Sequence, residues 1–234
     1  MCFTQEFSFF NFSLLFGYGA YLGVYSSEAY IWRLYIPLIY LSLKDFIQTF
    51  LYMFDDNEKY KYVLSVISYF HICFQPLVTN ILFSYFSRTA SFFNIDYWNI
   101  IFVITFIFGL LKLTNLDFFD ILKDAPYCKD KSSDFCSDKN GAYIGKYHVG
   151  YKFRTKYKYG LSFNLLMVIP ALLTNSYILA IIFAFFTILL RVIFIDVRDG
   201  EIGAIWCLLA LIPTIPYVYY RKQFLSLIEK IKIY

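Results

Sequence analysis

Polar residues interrupt a few of the apolar stretches of this chain, and any chemistry is expected there. His71 and Gln75 stand four apart in Phe70-His71-Ile72-Cys73-Phe74-Gln75-Pro76, so one helix face carries both. The imidazole is a titratable group and a metal ligand, and the amide can satisfy one of its ring nitrogens. Asn80 follows about one turn beyond Pro76, where a kink is expected. Lys44 and Gln48 are also four apart, with Asp45 between them. The plain alternatives are an interhelical hydrogen-bonded His/Gln pair, a Lys44–Asp45 ion pair, and a Lys44 that snorkels to the membrane surface.

Removal of Met1 would leave Cys2 as an N-terminal residue with a thiolate and an amine. With His71, His148 and Cys207 it forms the nitrogen and sulfur donor set that zinc prefers. Glu201 is the candidate catalytic acid or base. The buried polar centre expected on this reading comprises Cys2, Glu6, Lys44, Gln48, His71, Gln75 and Trp206. His71 lies about ten residues into its apolar run, near mid-membrane at 1.5 Å rise per residue. Its ring then needs a second partner besides Gln75, because a buried unsatisfied nitrogen costs about 1–3 kcal/mol. The N-terminus is therefore expected to fold back, bringing Cys2 and Glu6 toward His71, with His148 reaching in from a loop. The competing reading makes Cys73 and Cys207 small buried hydrophobes and Glu201 a solvated neighbour of Asp196, Arg198 and Asp199.

The elements that must position these residues follow from composition. Of 234 residues, 59% are hydrophobic and only 16% are charged, against roughly 25% in soluble domains. A soluble fold of this size cannot hide so much apolar surface. An integral membrane protein is expected, with lipid and possible membrane subunits as partners. Twenty-eight Phe and 23 Tyr are discounted as stacking groups, because an AT-rich genome enriches them along with Ile and Lys. No basic block interleaved with aromatics stands outside a plausible membrane interface, so no nucleic-acid partner is expected.

A spanning helix needs about 20 mostly apolar residues. Seven runs approach that, at 8–26, 30–53, 61–86, 97–114, 160–175, 177–196 and 202–220. The fold class expected is an all-α polytopic membrane bundle of seven transmembrane helices in one domain, 1–234. The alternative is six spans plus a re-entrant segment, since the fifth run is short, contains Pro170 and adjoins Thr174-Asn175-Ser176. The runs do not alternate, which argues against a membrane β-barrel. The opening residues lack a basic n-region and a convincing cleavage site, so the first run is read as a retained helix.

A long polar loop is expected over 115–159, and an interfacial amphipathic helix over 221–234. The basic-aromatic stretch from Lys146 to Tyr159 reads as an interfacial anchor. Cys128 and Cys136, with seven residues between them, are expected to form a disulfide on an oxidising side, stabilising by about 2–3 kcal/mol. With seven spans, that places the N-terminus on the non-cytoplasmic side. The positive-inside rule argues the other way, because the loop carries more Lys and Arg than the tail.

Met1-Cys2-Phe3-Thr4, Phe70 to Pro76, Gly145-Lys146-Tyr147-His148 and Ile205-Trp206-Cys207 occur in order. Together they resemble an uncharacterised family of seven-helix membrane proteins of algae, other protists and large DNA viruses, with bacterial relatives that begin Met-Cys-Phe-Ser. The resemblance covers nearly the whole chain. Thr4 stands where that family usually has Ser, and Ala204 where Ser commonly precedes Ile-Trp-Cys. It implies architecture and marks positions, but names no reaction.

Several classes are excluded by what the motifs lack. No Lys sits mid-way in the last run, so no retinal is expected. No Thr-Val-Gly-Tyr-Gly filter, His-Glu-x-x-His, Gly-x-Ser-x-Gly or phosphate-binding glycine loop occurs. Three functions are carried forward. The leading one is a structural or accessory subunit of a membrane assembly. The others are a transporter, channel or receptor-like bundle with a polar path, and a membrane-embedded enzyme with a Cys/His metal centre.

Overall fold

The computed structural model describes residues 4–86, 91–92, 95–114, 116, 141–144, 149–153, 165–167, 169–170, 184–185, 188–189 and 192–193. Helices dominate them: α1 (Gln5–Tyr25), α2 (Trp32–Met53), α3 (Glu58–Cys73), α4 (Gln75–Phe86) and α5 (Tyr97–Leu113). Two antiparallel hairpins complete the order, β1 (Ser91–Phe92) with β2 (Ile95–Asp96) before α5, and β3 (Gly141–Ile144) with β4 (Val149–Lys152) after it. The first four apolar runs correspond to α1, α2, α3 with α4, and α5. The last three runs and the C-terminal amphipathic segment lie wholly or mostly outside the described residues, as do Cys128 and Cys136. Cys73 is a buried free thiol.

Local signals set the helix ends. The Thr4 hydroxyl caps α1 by accepting from the Phe7 N–H at 3.3 Å. Glu6 sits in the first turn, where a carboxylate complements the positive end of the helix dipole. The Asn57 side chain caps α3 by accepting from Tyr60 N–H at 3.2 Å. At its other end α3 stops at Cys73, because Pro76 has no N–H to donate to the Ile72 carbonyl. The Phe74 N–H turns to that carbonyl instead, and α4 departs at 43°. One apolar run is thus two helices, broken just before the proline.

Helices α1 and α2 pack antiparallel, Asn11 opposite Asp45 and Gly19 opposite Tyr35 and Ile39. A Cβ on Gly19 would lie 2.9 Å from Ile39 Cγ1 and 3.3 Å from the Tyr35 carbonyl, and Gly23 lies against the Tyr35 ring. Small residues four apart are what let two helix backbones approach without a hydrophobic drive in lipid. Gly17 has open space around it. Gly17→Ala is therefore expected to be neutral or to stabilise by up to about 1 kcal/mol through helix propensity. Gly19→Ala should lower the thermal midpoint in detergent, read by circular dichroism.

The interior holds two apolar clusters. Leu15, Leu34, Leu38, Leu82 and Tyr85 join α1, α2 and α4. Ile47, Leu51, Tyr69 and Cys73 join α2 and α3 beneath Val149, Tyr151 and Phe153. The sequence reading took the stretch around those last three as an interfacial anchor. Instead, alternate residues of β4 and its continuation are buried, at 0%, 1% and 4% exposure, with Phe153 edge-on to Tyr69 at 4.8 Å. The period-2 pattern of a strand explains the difference: one face of the hairpin is apolar and covers the helices.

Large apolar side chains also lie on the outside. Phe9, Phe10, Tyr21, Val24 and Tyr25 of α1 and Val103, Ile104, Ile107 and Leu111 of α5 are exposed. Among the described residues, α1 is the helix long and apolar enough to cross a membrane, with only 17% of its apolar window buried. Helices α3 and α4 pass the same test together, as one bent span. The seven expected spans thus reduce to one, or two with the bent pair, among the described residues. Helix α2 does not pass that test, and α5 falls short because it has 17 residues.

Candidate functional site

A polar stripe runs down the buried side of the broken helix pair. Ser65, Ser68, His71, Gln75 and Thr79 recur at steps of three and four and are all buried, with Asn80 and Ser84 beyond them. Helix α2 contributes Ser42, Lys44, Asp45, Gln48 and Thr49, each at most 5% exposed. Burying so many polar groups is costly unless they find partners. The partners that the structure shows define the site.

His71 and Tyr40 form a reciprocal clasp between α3 and α2. The His71 ring nitrogen Nε2 lies 2.7 Å from the Tyr40 carbonyl, and the Tyr40 hydroxyl donates to the His71 carbonyl at 2.7 Å. The two rings stack at 4.3 Å and 13°. A carbonyl only accepts, so Nε2 must carry the proton and donate. The neutral tautomer is thereby set, and Nδ1 is left as a lone-pair acceptor. Nδ1 is buried and has no hydrogen-bond partner among the described residues. The helix break makes this possible: His71 is two residues before the end of α3, where its carbonyl can take Tyr40. Tyr40→Phe should cost about 1 kcal/mol of thermal stability while leaving the stack in place, a loss read by thermal unfolding.

Asp45 meets α1 instead. The Asn11 side-chain amide donates to its carboxylate. Lys44, one residue earlier, has its ammonium 6.0 Å from the centroid of the Tyr151 ring, on the hairpin side. Arg33, at the start of α2, lies over Tyr30 and Trp32 at 5.0 and 5.4 Å. Asn80 donates to the Pro76 and Leu166 carbonyls at 2.7 and 2.9 Å.

Of the residues expected at the polar centre, Lys44, Gln48, His71 and Gln75 are buried in the interior of α2, α3 and α4. Gln75 opens α4 beyond the break, so its placement relative to His71 is set by the 43° bend and not by one continuous helix. Gln75 was expected to satisfy one ring nitrogen and meets neither: Nε2 donates to the Tyr40 carbonyl, and Nδ1 has no hydrogen-bond partner among the described residues. Glu6 is a correction. It is exposed in the first turn of α1, where capping and the helix dipole favour it without burial. Asn11, half-buried on α1, is the residue of that helix whose side chain meets the buried Asp45. Sequence reasoning passed over it, although a single amide within Phe9-Phe10-Asn11-Phe12 was the signal to follow. Cys2, His148, Glu201, Trp206 and Cys207 lie outside the described residues, so His71 is the described member of the proposed zinc set. Among the described residues, no three His, Cys, Asp or Glu side chains gather as a metal site.

These features define a mostly helical protein whose interior combines two apolar clusters with a set of buried polar residues. The chain belongs to a family of unknown function, DUF5765, whose model matches residues 14–225. No curated protein and no solved structure matches it.

Proposed function

We propose that the chain is an integral membrane protein whose polar interior passes a small solute across the bilayer, a transporter- or channel-like bundle. The observation that carries this reading is the buried stripe Ser65, Ser68, His71, Gln75 and Thr79 on a helix broken at Phe74. Polar residues at membrane depth face a bundle interior or a solute path. Discontinuous helices place freed backbone groups and polar side chains beside a substrate. A passive subunit needs neither, so the solute path is preferred to the structural-subunit reading. The exposed apolar faces of α1 and α5 support contact with lipid.

The finer architecture proposed is seven spans, with the N-terminus and the loop over 115–159 on the non-cytoplasmic side and Cys128 paired to Cys136. Labelling of Cys128 or Cys136 on intact cells, only after reduction, is the expected result. Labelling only after permeabilisation reverses the orientation. Alkaline carbonate extraction should leave the protein in the membrane pellet.

The function is tested by purifying the protein into vesicles and measuring fluxes of protons, potassium, chloride, glycerol and urea. Flux of at least one above that of empty vesicles is expected. No flux of any of them overturns the solute path in favour of a structural role.

A further inference from the structure

The solute's chemical class follows from which hydrogen-bonding ends the interior leaves open. His71 uses its donor on the Tyr40 carbonyl, and its acceptor Nδ1, on a side chain 6% exposed, has no partner among the described residues. Ser68 lies one turn earlier on the same helix face, 1% exposed, and its Oγ has no hydrogen-bond partner among the described residues either. Two neighbouring polar atoms, both buried and both unsatisfied, would cost about 1–3 kcal/mol each if nothing ever filled their hydrogen-bonding capacity. His71 accepts only, so whatever binds Nδ1 brings an O–H or N–H. Lys44 stands one turn beyond Tyr40 on α2, and the Tyr40 ring stacks on His71. A positive side chain thus lies on the helix face that meets this imidazole and disfavours a cation there. The Asp45 carboxylate, which would attract one, is turned toward Asn11 on α1.

We propose that Ser68 and His71 form a binding site for a small uncharged solute that carries an O–H or N–H donor. The solute gives a hydrogen bond to His71 Nδ1 and exchanges one with the Ser68 hydroxyl. A positive side chain beside neutral hydrogen-bonding groups favours neutral solutes over cations. This inference rests on the solute-path reading above and names its substrate class.

The test uses full-length protein in vesicles, with glycerol and urea as neutral probes and methylammonium, potassium and chloride as charged ones. Two variants carry the argument. In His71→Gln the amide nitrogen can still donate to the Tyr40 carbonyl, while the acceptor moves from the Nδ1 position to the amide oxygen. Ser68→Ala removes a single oxygen and serves if the first variant does not fold. Wild-type vesicles should pass glycerol or urea and none of the charged probes. Each variant should reduce that neutral flux about tenfold, the effect of one hydrogen bond, at an unchanged elution volume. Wild-type flux of ions alone overturns the inference while the solute path stands. Undiminished neutral flux in both folded variants overturns it too. An absence of all flux overturns both readings together.

Discussion

Asn11→Leu is expected to be among the most damaging single substitutions in the chain, lowering stability by about 1–3 kcal/mol. Asp45 is 3% exposed, and Asn11 donates the one hydrogen bond that its carboxylate receives from a described side chain. Removing the amide leaves an acid in an apolar helix interface with its hydration already lost, and the penalty falls on the group left behind. The double variant Asn11→Leu with Asp45→Leu should recover most of the loss, since two apolar side chains of similar bulk need no partner. Thermal unfolding of the two single variants and the double variant in one detergent checks this as a cycle. A double variant no more stable than Asn11→Leu alone would mean that Asp45 has other support.

The second large effect is expected at Gly109→Ala, a change of one methyl group. Gly109 of α5 lies against the break between α3 and α4, and a Cβ there would stand 2.7 Å from a Phe74 ring carbon and 3.1 Å from the Cys73 carbonyl. The ring can swing aside, but the carbonyl belongs to the backbone that sets the 43° bend. Overpacking of this kind costs about 1–3 kcal/mol, against a gain of about 1 kcal/mol from helix propensity. Phe74→Ala in the same chain should relieve the ring clash and restore part of the loss. If Gly109→Ala raises the thermal midpoint, α5 is not seated against the break.

The helices were legible because an apolar run of about 20 residues has few alternatives, and the first four runs meet α1 to α5 within about three residues at most ends. The break at Phe74 was half legible. Pro76 announced it, but where the chain turns depends on which carbonyls find other donors, and Tyr40 lies 31 residues away. The Asn11–Asp45 contact, spanning 34 residues, has no local pattern to betray it. The hairpin was obscured by its own composition. Lys and Tyr around Val149, Tyr151 and Phe153 mimic an interfacial belt, while the alternation beneath them marks a strand with one buried face. Burial of Lys44, Gln48, His71 and Gln75 was legible as an energetic expectation, but not the tautomer of His71, which one backbone carbonyl sets.

The hairpin also has a consequence for the order in which the molecule is made. Tyr151 lies by Lys44, and Val149 covers the seam between α2 and α3, yet the ribosome delivers them about 100 residues after Lys44. At about 5–20 residues per second, the lysine face of α2 waits some 5–20 seconds for its cover. A nascent chain halted before residue 149 should leave that seam open to a holding chaperone or to protease, and one extended past residue 153 should close it.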